Sequence, residues 1–211
     1  MTDVIKILKS VGAVRTDDHF VYTSGKHGSI YVNKDALYPH VEKTSEVCRM
    51  MAQLCAELDV ETVAAPALGG IILSQWVGYH LTQLKQKPVK AVYAEKDGNS
   101  GFKFTRGYDQ YIRNKKVLVL EDLTTTGGSV KTVVDSVRSY DGQVVGVCVM
   151  VNRNPQEVNS ELFDAPFFAL GELEAEAYEE DKMPAELRQR PINTQLGHGA
   201  EYLAHKKGKN E

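Results

Sequence analysis

The chain has 211 residues, a net charge of −3, and 42% hydrophobic and 25% charged residues. Those are ordinary values for a soluble globular protein, and a chain of this length buries roughly 70% of its unfolded surface without staples. One domain, or one domain with an appendage, is expected. No apolar run of about 18 residues and no secretory pattern occurs, so neither membrane nor export is expected. The terminal HKKGKN is the only extended basic run, which disfavours nucleic acid as a partner. Three cysteines, Cys48, Cys55 and Cys148, lack metal-like spacing. They read as reduced core residues of a cytoplasmic chain.

In chain order, Val4, Ile5, Leu8 and Val11 fall on one face of a helix over 3–11 that Gly12 ends. His19–Thr23 and Ser29–Asn33 read as two short strands around a turn at Ser24–Gly28. By chemistry alone that turn, with its cation, hydroxyl and glycines, is equally a solvated hairpin tip. Residues 42–58 form an amphipathic helix whose apolar stripe faces the core. Thr62–Pro66 is a short strand, Ala67-Leu68-Gly69-Gly70 a tight glycine loop, and 71–86 a helix. Unaided, that loop is a weak signal, since a glycine pair often only permits a turn. Val89–Glu95 is a further strand. The glycine-rich, charged segment after it, DGNSGFKFTRGY, alternates like a hairpin and suits a lid that excludes water; an exposed edge hairpin is the plainer reading.

Val117–Val130, VLVLEDLTTTGGSV, holds the densest chemistry. Four apolar residues suit a strand buried on both faces of a parallel sheet. Glu121 and Asp122 follow, then Thr124, Thr125, Thr126, Gly127, Gly128 and Ser129, then Val130, Val133, Val134 and Val137 at helical spacing. Glycines admit a ligand close to the backbone, and N–H groups opening a helix, with hydroxyls beside them, bind phosphate. Carboxylates would repel phosphate at contact, so they belong at sugar hydroxyls or behind a divalent cation. The stretch therefore predicts a ligand carrying both a sugar diol and a phosphate. It is neither the GxxxxGK[ST] nor the GxGxxG nucleotide motif. Gln143–Val151 is another buried strand, ending in Asn152-Arg153-Asn154, and Ala165–Leu170 is a last strand. The remainder, acidic and then basic, reads as a short appendage and a frayed tail, with His198 in an exposed turn.

The 117–130 stretch resembles the ribose-phosphate signature of the type I phosphoribosyltransferases: four apolar residues, two acidic, two variable, then a Thr/Gly-rich loop. The resemblance implies 5-phosphoribosyl 1-diphosphate (PRPP) as substrate. It places Glu121 and Asp122 at the ribose and, through water, at a Mg²⁺ held mainly by PRPP. It places Thr124 to Ser129 at the 5′-phosphate. PALGGI resembles the family's diphosphate loop, which implies that role for Ala67, Leu68, Gly69 and Gly70. HFVYTSGKHGSIYVNKDALYPH resembles the N-terminal segment of the orotate phosphoribosyltransferases. That implies a phosphate contact for Lys26 and a base pocket lined by Tyr31, Val32 and the neighbouring Asn33, with Thr125. Arg153 matches the strand-end arginine that pairs with the orotate carboxylate, a geometry bidentate arginine suits. YAEKDGNSGFKFTRGY resembles a subgroup's mobile lid, which implies Lys96, Lys103 and Arg106 as catalytic cations beside Asp122, acting partly across a homodimer interface.

Together these readings give an α/β fold: an open, mostly parallel twisted sheet, doubly wound with helices on both faces, plus a small hood that the N-terminal hairpin and the C-terminal piece form over the crevice. Residues 1–40 form the N-terminal helix and hood hairpin, 41–172 the PRPP-binding core, and 173–211 the appendage and tail. The implied reaction is orotate plus PRPP giving orotidine 5′-phosphate and diphosphate, in pyrimidine biosynthesis. Transfer to another nucleobase, or a PRPP-binding regulator on the same fold, are the alternatives.

Overall fold

In the computed structural model, which describes residues 3–22, 24–98 and 101–207 (backbone alone for Lys207), the chain opens with α1 (Asp3–Ser10). Its apolar residues Val4, Ile5 and Leu8 are buried, as their spacing predicts. Four two-residue strands follow, β1 (Val14–Arg15), β2 (Phe20–Val21), β3 (His27–Gly28) and β4 (Tyr31–Val32). They pair as two antiparallel ladders, β1 with β4 and β2 with β3. The hood is thus two nested pairs rather than the single hairpin expected, because Gly25 at φ +79° turns the chain tightly inside it. A 3-10 turn (Lys34–Ala36) leads into α2 (Val41–Leu54). Three positions expected from the sequence, Thr23, the Asn99–Ser100 tip of the hairpin and the basic end from Gly208, lie outside the described residues.

The sheet comes next. Strand β5 (Thr62–Pro66) runs into α3 (Gly69–Lys85), then β6 (Lys90–Asp97) and the short β7 (Gly101–Lys103). Strand β8 (Lys116–Thr124) precedes α4 (Gly128–Ser139), and β9 (Gln143–Asn152), α5 (Ser160–Phe163) and β10 (Phe167–Glu172) follow. Spatial order is β10-β9-β8-β5-β6-β7. All neighbours are parallel except the β6–β7 hairpin. Side chains alternate across each strand, and two cores result. Leu118, Leu120, Val63, Ala65, Cys148 and Met150 pack with α1, α2 and α3 on one face. Val117, Val119, Ala64, Val147 and Val149 pack with α4 on the other. Full burial of Val133, Val134 and Val137 contributes roughly 1.5 kcal/mol or more each. All three cysteines are free and buried.

Two consequences position the site. The chain adds β6 on one side of β5 and then crosses to place β8 on the other. Loops leaving β5 and β8 therefore turn to opposite faces, which opens a crevice at their carboxyl ends. Strands β5 and β8 pair from Thr62↔Val117 to Ala64↔Val119, and no further among the described residues. On β8 the alternation that buries Leu118 and Leu120 beside α3 sends Asp122 to that face and Glu121 to the other.

The C-terminal segment departs from the appendage and frayed tail expected. It contains α6 (Ala185–Arg188) and α7 (Gly199–Lys207). Tyr178 and His27 exchange backbone hydrogen bonds at 2.8 Å each way, Asn193 N–H donates to His19 O at 2.8 Å, and His198 N–H donates to Val21 O at 2.9 Å. Inside this seam His19 Nε2 and His27 Nδ1 lie 2.8 Å apart, both rings buried. The short hood strands supply edges, and the distant segment satisfies them. Among the described residues no helix is long and apolar enough to cross a membrane.

Candidate active site

Glu121 and Asp122 stand in β8 with only 8% and 2% exposure. Burial is costly for a carboxylate unless it is paired, and the two residues meet that cost differently. Asp122 Oδ2 accepts from Lys34 Nζ at 2.6 Å and from Tyr38 Oη at 3.0 Å. Burial works against the Lys34 ammonium, but the hydrogen bond and charge of Asp122 outweigh it and raise its pKa. Burial, with the Asp122 charge beside it, also drives the Tyr38 hydroxyl upward. Among the described residues Glu121 forms no ion pair, and the Lys34 charge is the weakest of the influences on it. Burial first, and then the Asp122 charge, push it up to about 8, while the Asp122 N–H it accepts at 3.0 Å works the other way. Near neutral pH Glu121 is therefore largely protonated, a donor as well as an acceptor.

Two glycine loops flank the pair. After β5 the chain makes a cis peptide at Ala67–Leu68, and Leu68 projects with 81% exposure. Gly69 opens α3 against the carboxylate: a Cβ there would lie 2.2 Å from Asp122 Oδ2. After β8, Thr124 Oγ1 accepts from Gly127 N–H at 3.1 Å. Gly127, at φ +75°, stands at the N-cap of α4 without a side-chain bond, and Thr126 Oγ1 accepts from Gly128 N–H at 3.5 Å. Gly127 is required twice over, since a Cβ would also meet Leu162 Cδ2 at 2.4 Å. Thr125, Thr126, Gly128 and Ser129 are exposed around that helix start, where free N–H groups and the helix dipole favour an anion.

A cavity of about 370 Å³ adjoins the β8 loop. It is lined by Tyr22, Ser24, Tyr31, Val32, Thr125 and Arg153, together with Ala175, Ala177, Gly197 and His198. Arg153 follows β9, its N–H bonded to Thr124 O at 2.8 Å. Its guanidinium lies 5.3 Å from the Tyr22 ring centroid, and its buried Nε has no hydrogen-bond partner among the described residues. A buried donor left unsatisfied costs about 1–3 kcal/mol, so this arginine is held ready for an acceptor. Tyr31, Val32, Thr125 and Arg153 are therefore brought together. The C-terminal piece, expected to join the N-terminal hairpin in a hood over the crevice, forms one wall of this cavity; which of its residues would line it was not legible, and His198 read as an exposed turn.

Lid positions separate. Lys96 lines a second cavity, about 440 Å³, with Phe102, Gly128 and Ser129. Lys103 pairs with Asp97 at 3.0 Å, and Arg106 with Glu95 at 3.1 Å. Lys26 pairs with Glu179 of the C-terminal segment at 3.2 Å and borders neither cavity. Lys34 and Tyr38 reach Asp122 from 88 and 84 positions away; the resemblance placed Lys34 only beside the base-pocket segment, and a lone tyrosine in a turn gives no signal. The described residues contain no cluster of three or more metal-ligating side chains. Two buried carboxylates, one already held by Lys34, fit a cation carried in on the oxygens of a substrate, not one caged by protein.

A crevice at the strand switch point, one carboxylate pair and two phosphate-sized loops define a phosphoribosyltransferase site. The phosphoribosyl transferase domain model matches residues 34–168. The orotate phosphoribosyltransferase of Thermotoga maritima is 36% identical over 180 residues, covering 85% of this chain and 89% of that one. Its counterpart in Caulobacter vibrioides is 32% identical over 192 residues, covering 90% and 93%. The Mycobacterium tuberculosis orotate phosphoribosyltransferase in complex with PRPP has the same fold, with a TM-score of 0.62 at 22% identity, covering 81% of this chain and 96% of that one. The chain belongs to the orotate phosphoribosyltransferase family.

Proposed function

We propose that this protein transfers the 5-phosphoribosyl group of PRPP to orotate, giving orotidine 5′-phosphate and diphosphate in pyrimidine biosynthesis. One observation carries the reading: the Glu121–Asp122 pair, both glycine loops and the unsatisfied Arg153 converge on one crevice. Thr124 to Ser129 takes the 5′-phosphate at the start of α4. Asp122 and Glu121 take the ribose hydroxyls, and the Ala67–Gly70 loop takes the diphosphate. In the neighbouring cavity the Arg153 guanidinium takes the orotate carboxylate against Tyr31, Val32 and Thr125.

The bond from ribose C1′ to the diphosphate oxygen breaks as the bond from C1′ to the base nitrogen forms, and the proton of that nitrogen leaves with the diphosphate. Positive charge builds on the ribose ring, and negative charge on the leaving diphosphate. Glu121 and Asp122 would hold, through water, a Mg²⁺ carried in with PRPP, and that ion would supply electrostatic stabilisation of the diphosphate. The buried anionic Asp122 stabilises the ribose charge, and Lys96, facing Gly128 and Ser129, answers the phosphate charge as the lid closes. Lys103 and Arg106 serve the same end once released from Asp97 and Glu95, and Lys26 once released from Glu179.

The protein acts in the cytoplasm as a homodimer. Helix α3 leaves Ile72 36% and Tyr79 53% exposed, one α-helical stripe with Trp76 between them, and that stripe suits a second copy. The test is loss of orotate absorbance with PRPP and Mg²⁺, with uracil, hypoxanthine and adenine in parallel. Turnover with orotate alone supports the reading; turnover with another base alone, or with none, refutes it.

A further inference from the structure

Lys34 belongs to neither glycine loop, yet its ammonium lies where the carboxylate pair and the diphosphate loop meet. Its Nζ is 2.6 Å from Asp122 Oδ2. A Cβ on Gly69 would stand 2.8 Å from that same Nζ, so the bare glycine lets the ammonium rest against the loop backbone. The lysine side chain is 32% exposed, and its Asp122 partner 3%. The cation is thus the accessible half of the pair. It is also anchored from below: Asn33 N–H donates to Ala13 O at 2.7 Å, and the turn that follows belongs to the body of the protein, not the lid. Asp35, at 3.6 Å, and more weakly Glu121 are the other acids acting on it.

A diphosphate entering beside a buried carboxylate needs a nearby positive charge. Lys103 and Arg106 are engaged with Asp97 and Glu95 in this structure. An ammonium has three donors, so Lys34 can keep its bond to Asp122 and give another to a phosphate oxygen. We propose that Lys34 is a fixed diphosphate-binding cation, seated between Asp122 and the Gly69 backbone, that engages the diphosphate of PRPP before the lid closes. This rests on the reading of 67–70 as the diphosphate loop and of Asp122 as a ribose ligand.

The test measures equilibrium binding of inorganic diphosphate with Mg²⁺, alongside steady-state KM values. Lys34→Met is expected to weaken diphosphate binding and raise the PRPP KM about 10- to 100-fold, the usual effect of losing one charged hydrogen bond. The orotate KM should stay within about twofold of wild type, and Lys34→Arg should restore most of the diphosphate affinity. Lys34→Gln, which still donates to Asp122, should lose as much as the methionine variant and serves if that variant misfolds. Tyr38→Phe removes the other donor to Asp122 and spares the cation, so it should alter diphosphate binding less than about threefold. Equal losses in Tyr38→Phe and Lys34→Met would mean that Lys34 merely orients Asp122, and would overturn the proposal. Full turnover in Asp122→Asn would instead sink the underlying ribose reading. If Asp122→Asn is inactive while folded Lys34 variants bind diphosphate like wild type, only the inference about Lys34 fails.

Discussion

Replacing Glu121 by Gln isolates the electrostatic cost of the carboxylate pair. Glu121 titrates at about 8 in the folded protein against 4.5 for a free glutamate. The fold therefore binds its proton more tightly than the unfolded chain does. Below pH ~4.5 both states are protonated and the stabilisation is fully present; it is lost as pH rises toward 8, where the unfolded chain has released its proton and the folded one resists. At about 1.36 kcal/mol per pH unit, this single group removes about 4–5 kcal/mol of stability across that window. Glutamine keeps the acceptor for the Asp122 N–H but cannot ionise. Urea unfolding of both proteins at pH 5 and pH 8.5 measures the difference directly, with titrating groups remote from the carboxylate pair cancelling. Glu121→Gln should become more stabilising relative to wild type by about 4 kcal/mol between the two pH values. A difference that stays constant within about 1 kcal/mol would refute the assignment of a buried, proton-holding Glu121.

Three further outcomes are expected. Arg153→Lys should raise the orotate KM by about tenfold or more, since it gives up the planar bidentate fork for a point-charge ammonium, while the PRPP KM holds; equal changes in both would remove Arg153 from the acceptor pocket. Gly127→Ala forces a Cβ into the left-handed region and against Leu162, and should destabilise by about 1–3 kcal/mol and raise the PRPP KM, as read from urea midpoints and kinetics. Lys96→Ala should lower kcat by about 10²-fold with an unchanged urea midpoint, and by more than Lys103→Ala or Arg106→Ala; an order of effects led by Lys103 or Arg106 would place the lid cation elsewhere.

The path from strand to loop to helix was legible wherever one stretch of chain carried the whole unit. VLVLEDLTTTGGSV reads as buried strand, acid pair, phosphate loop and amphipathic helix, and β8 and α4 follow that plan with Gly127 as the hinge. The strand at 62–66 is the one expected, and the helices at 3–11 and 71–86 differ only by a residue or two at their ends. The strand boundaries of the hood were less legible, because two-residue strands carry no period and are decided by their partners. The internal order of the 173–207 segment was not legible for the same reason. Its polar, proline-punctuated sequence has little apolar pattern, and its order comes from backbone bonds to His19, Val21 and His27.

What the sequence determined by itself was the local chemistry and the class of fold: which residues could meet a phosphate or a ribose, and that parallel strands would carry them. The tertiary structure decided which groups share a charge. Alternation along β8 sends Glu121 and Asp122 to opposite faces, so Lys34 and Tyr38 hydrogen-bond to Asp122, and Glu121 keeps its proton. It also decided what closes the acceptor pocket, because Ala175, Ala177, Gly197 and His198 reach it only through a return of the chain across the hood. Burial and long-range pairing are properties of the assembled sheet, and no short stretch of sequence encodes them.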